Sequence, residues 1–91
     1  MKFSIKSTSK FEKDLKRVNK RGYNLELLKA VVSLLQRGEE LPAECKDHPL
    51  KGDYLGCREC HVTPDWLLVY KQVEDMLVLV LSRTGTHSDL F

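Results

Sequence analysis

Hydrophobic positions change period twice along this chain. Phe3–Lys6 alternates apolar with polar residues, the period of a short strand. From Phe11 the spacing becomes helical: Phe11, Leu15 and Val18 recur at i, i+4 and i+7 on one face. Ser7, Thr8 or Ser9 supplies the cap, with Ser9 and Glu12 at capping-box spacing, and Arg21-Gly22 ends the helix. Asn24 caps a second helix, in which Leu25, Leu28, Val32 and Leu35 form a stripe widened by Leu27, Val31 and Leu34, and which stops at Gly38.

Residues 39–53 carry Pro42, Pro49 and Gly52 among many charges and read as an irregular connection, long enough in so short a chain to suggest function. Three strand-like runs follow, Tyr54–Val62, Trp66–Val73 and Met76–Arg83, separated by Thr63-Pro64-Asp65 and Glu74-Asp75. Such short turns join neighbouring antiparallel strands. The order β-α-α-β-β-β over one domain, residues 1–91, predicts an α+β fold with two N-terminal helices packed on a twisted, mainly antiparallel sheet.

Bulk composition, 42% hydrophobic and 31% charged, is that of a globular protein. The longest apolar run, Met76–Leu81, falls far short of the roughly 20 residues that cross a bilayer, so the expectation is a cytoplasmic protein with no membrane partner. The net charge of +2 hides a division. Residues 1–37 hold 10 Lys/Arg against 3 Asp/Glu, or +7, whereas residues 38–91 hold 5 against 10, or −5. A basic segment this dense suits a phosphate backbone or an acidic protein partner; its plainer reading is a solvated helix face. The three cysteines are expected to be reduced, and Cys57 and Cys60, three apart in a predicted strand, to point to opposite faces.

All three histidines follow residue 47, each in a loop or at a strand edge: His48, His61 and His87. Imidazole gives or takes a proton near neutral pH, which RNA transesterification requires: one group takes the 2′-hydroxyl proton and another protonates the departing 5′-oxygen. Asp65, four residues beyond His61, is placed to orient an imidazole or act as a base. Arg83 is a candidate to stabilise the transition-state charge, and Trp66 and Phe91 to stack on unpaired bases. Each has an ordinary alternative: surface histidines, a core Trp66, an Arg83 paired with a carboxylate, a Phe91 that packs down its terminus. Cys45-x2-His48 with Cys57-x2-Cys60 also has the spacing of a structural zinc site, but a strand does not bring Cys57 and Cys60 together on one ion. No metal or cofactor is therefore expected.

The blocks Lys46-Asp47-His48-Pro49-Leu50-Lys51-Gly52, Arg58-Glu59-Cys60-His61-Val62-Thr63-Pro64-Asp65-Trp66-Leu67-Leu68-Val69-Tyr70 and Arg83-Thr84-Gly85-Thr86-His87-Ser88-Asp89-Leu90-Phe91 resemble the YafQ family of RelE-superfamily toxins from bacterial type II toxin–antitoxin systems. The resemblance runs through nearly the whole chain. It implies a RelE-like fold and a ribosome-dependent endoribonuclease that cuts mRNA in the A site of the 70S ribosome without a metal. It places catalytic residues at His48, His61, Asp65 and His87 and substrate contacts at Trp66, Arg83 and Phe91. It also implies a DinJ-like antitoxin partner, through which the complex reaches operator DNA. The competing expectation is a non-catalytic RNA- or protein-binding module that uses the basic helices.

Overall fold

The computed structural model describes residues 2–91. Strand β1 (Ser4–Ser7) leads into helix α1 (Ser9–Lys20) and helix α2 (Leu25–Gln36), followed by β2 (His48–Pro49), β3 (Arg58–Thr63), β4 (Trp66–Val73), β5 (Val78–Gly85) and a single-turn helix α3 (His87–Leu90). Of the three candidate caps for α1, Thr8 acts: its hydroxyl accepts from the Phe11 N–H at 3.0 Å and donates to the Ser82 carbonyl at 2.8 Å, fixing the helix start to β5. Ser7 instead bonds the Glu12 carboxylate at 2.6 Å. Asn24 caps α2 by accepting from the Glu26 N–H. Gly22 and Gly38, at φ 82° and 74°, close the two helices in the left-handed region.

The sheet runs β1-β5-β4-β3-β2. Its last four strands pair antiparallel, whereas β1 lies parallel to β5, because the two helices carry the chain across before β5 returns beside β1. The mainly antiparallel α+β expectation holds, with differences at the ends of elements. The segment expected to be irregular contains β2, a two-residue edge strand whose Pro49 lacks the N–H that would extend pairing outward. Strand β3 begins at Arg58, four residues late, because Gly52–Tyr54 forms a 3₁₀ turn and Gly56 takes φ 93°. Strand β5 is shifted to Val78–Gly85 because Leu77 adopts φ 52° in the preceding turn.

Both helices cover one face of the sheet, where Phe11 and Val18 of α1 and Leu28, Val31 and Leu35 of α2 meet Cys60, Trp66, Leu68, Tyr70 and Leu79. Leu25 and Val32, expected at the centre of the α2 stripe, are only half-buried. They line a shallow apolar groove of about 370 Å³ with Ile5 and Leu15. On the opposite face Leu67 and Val69 form a smaller cluster, covered by Leu90 of α3 and flanked by Leu50, Tyr54 and Cys57. Cys60 and Cys57 thus lie on opposite faces, as the strand spacing requires. Among the described residues no three His, Cys, Asp or Glu side chains gather as a metal site. Burial pushes the Cys60 thiol well above the usual range, which disfavours the thiolate a zinc ion would need.

Candidate active site

Residues directly opposite one another in neighbouring strands project to the same face. His48 opposes Glu59, Glu59 opposes Val69, and Val69 opposes Arg83. One row further on, His61 opposes Leu67, and Leu67 opposes Gly85. Because Leu67 and Val69 belong to the smaller cluster, both rows lie on the face away from α1 and α2. His48 and His61 therefore share that face, and β5 delivers His87 to it through Gly85 and Thr86.

Each of the three histidines is set by a different local device. His48 follows Lys46, a non-glycine residue held at φ 50°, and this left-handed turn aims the Lys46 carbonyl at His48 Nδ1, 2.8 Å away. Nε2 of the same ring lies 3.6 Å from Glu59 Oε1, a carboxylate whose residue is only 7% exposed. The half-buried His61 has its Nδ1 3.2 Å from the Pro64 carbonyl of the β3–β4 turn. A carbonyl oxygen only accepts, so both contacts require a proton on Nδ1. His87 opens α3, where its ring lies tilted against Phe91 at 5.2 Å between centroids.

Helix α3 has one turn and is held from outside. Thr86 and Asp89 form a reciprocal capping box, and Arg21, the C-cap residue just after α1, grips the Asp89 carboxylate with two bonds of 2.6 and 3.0 Å. The Arg21 guanidinium and the Thr86 N–H hold that carboxyl well below the usual carboxylate range. Leu90 fills the smaller cluster beneath. Gly85 is obligatory at this corner: it sits at φ 152°, and an added Cβ would come within 2.9 Å of Asp89 Oδ2.

The remaining expected site residues fare unequally. Trp66 is corrected from base-stacking residue to core. It is 2% exposed on the helix-covered face, its indole N–H donates to Thr84 Oγ1 at 2.8 Å, and Tyr23 meets it edge-on at 5.0 Å. Asp65 is corrected as the orienting partner of His61, because the Pro64 carbonyl takes that place and Asp65 stands exposed in the turn. Arg83 is largely committed. Nε and one terminal nitrogen grip the buried Asp14 carboxylate at 2.6 and 3.1 Å, and the other terminal nitrogen donates to Tyr54 Oη at 3.2 Å. Of its five N–H groups two remain for a phosphate. Phe91 is 55% exposed, braced edge-on by Tyr54, and borders an open cleft of about 620 Å³ lined also by Lys10, Lys51, Asp53 and Leu90.

Sequence reasoning missed Glu59, Asp14 and Tyr54. Glu59 was legible, since it stands two residues before His61 and so shares its face. Asp14 and Tyr54 carry no such signal, because each meets Arg83 only through tertiary contact.

A family model describing the YafQ bacterial toxin of type II toxin–antitoxin systems matches residues 3–91. The chain belongs to the YafQ toxin family. Among curated relatives, the mRNA interferase toxin YafQ of Escherichia coli K12 is 42% identical over 88 residues, covering 96% of this chain and 94% of the relative. The fold agrees with solved members of the family. A metal-bound toxin from Helicobacter pylori superposes with a TM-score of 0.92 at 46% identity, covering 98% of this chain and 99% of that one. The toxin of the E. coli DinJ–YafQ toxin–antitoxin complex superposes at 0.88 and 40% identity, covering 100% and 99%. The protein is thus a toxin of this family, and the name mRNA interferase denotes an endoribonuclease acting on messenger RNA.

Proposed function

We propose that this toxin cuts messenger RNA in the ribosomal A site by acid/base transesterification, and that an antitoxin of the DinJ type holds it inactive. The observation that carries the catalytic reading is the arrangement of His48, His61 and His87 on the sheet face away from α1 and α2, with two of the three rings orientated by main-chain carbonyls. One imidazole removes the proton from the ribose 2′-hydroxyl, the 2′-oxygen attacks the adjacent phosphorus, and the P–O5′ bond breaks as a second imidazole protonates O5′. The products are a 2′,3′-cyclic phosphate and a 5′-hydroxyl end. The two uncommitted N–H groups of Arg83 stabilise the pentavalent phosphorane, and Asp65, exposed in its turn, stands where an incoming strand can meet it.

The exposed Phe91 ring offers a stacking surface for a base, and Lys10 and Lys51 border the same cleft, where a phosphate backbone finds cations. The chain holds its acid and base against a strand it does not itself bend, so the ribosome serves to present the RNA in line. An antitoxin partner is supported by the E. coli complex of a toxin with this fold, and operator DNA is then reached through that partner. The strongly basic first 37 residues suit both ribosomal RNA and an acidic antitoxin segment.

Alanine at His48, His61, Asp65 and His87, assayed by A-site cleavage on programmed ribosomes with melting as the folding control, tests the reading. His87→Ala is expected to abolish cleavage while leaving the fold intact, because the ring is exposed and carries no structural hydrogen bond among the described residues. Wild-type cleavage in any two of the four variants would overturn the acid/base assignment.

A further inference from the structure

We propose that Tyr54 is the positioning residue that joins the two halves of a nucleotide subsite, its ring fixing Phe91 for a base and its hydroxyl fixing Arg83 for the scissile phosphate, a role that rests on the nuclease reading above. Tyr54 is half-buried and ends the 3₁₀ turn Gly52–Tyr54, so it comes from the connection between β2 and β3 and not from a strand. That turn is tied down on both sides. The Leu55 N–H donates to the Gly52 carbonyl at 3.0 Å, the Cys57 N–H to the Tyr54 carbonyl at 2.9 Å, and the Leu50 N–H to the Cys57 carbonyl at 2.9 Å. Beneath it Leu50, Tyr54 and Cys57 pack against the cluster of Leu67, Val69 and Leu90. A side chain rooted in this way can hold other groups still.

One end of Tyr54 acts on the base-stacking ring. Its own ring meets Phe91 edge to face, with 5.6 Å between centroids and 77° between planes, a favourable aromatic geometry. Phe91 follows the single turn of α3 and is 55% exposed, so little else restricts its rotamers. Tyr54 on one side and His87 on the other, at 5.2 Å, order the ring before RNA arrives and lower the entropy lost on stacking.

The other end acts on the phosphate ligand. Tyr54 Oη accepts from Arg83 Nη1 at 3.2 Å, while Asp14 takes Nε and Nη2 at 2.6 and 3.1 Å. The guanidinium is therefore gripped from two directions, and each terminal nitrogen keeps one N–H. Without the hydroxyl, Nη1 would carry two unpartnered hydrogens and stay free to bond water. Donors fixed in advance need no reorganisation as charge builds on the phosphorane, which is where their contribution is largest. One side chain thus holds the stacking ring and the phosphate ligand at a set spacing, and it lines the cleft that Phe91 borders. Tyr54 itself acts through its two neighbours and not on the reacting atoms.

Steady-state cleavage by the full-length toxin on programmed ribosomes separates the two contacts, with melting curves as the folding control. Tyr54→Phe keeps the ring and removes the hydroxyl, so kcat is expected to fall about tenfold while KM stays within about twofold of the wild type. Tyr54→Leu removes both contacts, and should add to the same loss in kcat a rise in KM of about fivefold. Phe91→Ala should raise KM about 5- to 150-fold in the wild type and in Tyr54→Phe, but clearly less in Tyr54→Leu, where the ring is already loose. Tyr54→Met supplies the same reading if Tyr54→Leu does not fold. Unchanged kcat in Tyr54→Phe, or a gain as the released N–H reaches the phosphate, would overturn the Arg83 half of the proposal. Equal effects of Phe91→Ala in all three backgrounds would overturn the Phe91 half. Losses that merely track the folded fraction, with no change in KM for either Tyr54 variant, would mark a purely structural tyrosine and overturn both. Failure of the wild type to cut the messenger would instead count against the nuclease reading itself.

Discussion

Two aromatic residues that the sequence offers on equal terms, Trp66 and Phe91, are separated by their surroundings. The Trp66 indole N–H is satisfied inside the core by Thr84, whose own hydroxyl donates to the Leu67 carbonyl. Trp66→Phe leaves the Thr84 oxygen without its donor and is expected to cost about 1–3 kcal/mol in chemical denaturation. The folded variant should still cut RNA. Phe91→Ala removes an exposed ring and should leave the midpoint of unfolding nearly unchanged, while weakening apparent substrate affinity by the roughly 1–3 kcal/mol that base stacking supplies. The reverse pattern would return the stacking role to Trp66. Chemistry-bearing residues are named by their type, so His48, His61 and His87 were legible. Whether an aromatic or an arginine faces substrate or core depends on its neighbours, and these are set by folds of the chain that no local pattern reveals.

At the scale of elements, regular periods were readable and their interruptions were not. The stripes of α1 and α2 and the bounds of β4 follow from spacing, and the glycines at 22 and 38 mark the helix ends. The short pieces that build the site, β2 and α3, have too few residues to show a period; they exist because of partners distant in sequence. Helix α3 depends on Arg21 and on the glycine before it. Gly85→Ala is therefore expected to displace Asp89, release α3 and reduce cleavage at least tenfold through misplacement of His87. The α1 and α2 core should remain intact, as circular dichroism would show. Asp89 gives the same anchor a pH signature. Its carboxyl is held below the ordinary range, so the contribution is complete above the unfolded-state value near 4 and is lost as pH falls through the lower folded value. Exchange protection of the α3 amides should thus persist in mild acid in the wild type and be weaker at neutral pH in Asp89→Asn.

For the whole molecule, the sheet separates two tasks between its faces. One face is closed by the helices and holds the main core; the other is only partly covered and carries the three imidazoles, Glu59 and the aromatic-lined cleft. Arg83 links the two, since the pair it forms with Asp14 of α1 fixes the end of β5 from which His87 departs. The central claim is that these imidazoles drive attack by the ribose 2′-hydroxyl. The measurement that tests it most directly is the chemistry of the ends left on an A-site messenger cut by the wild-type toxin and by His87→Ala. A 2′,3′-cyclic phosphate upstream and a 5′-hydroxyl downstream, absent with His87→Ala, is the predicted result. A 3′-hydroxyl paired with a 5′-phosphate, or unchanged cleavage by the variant, would contradict it.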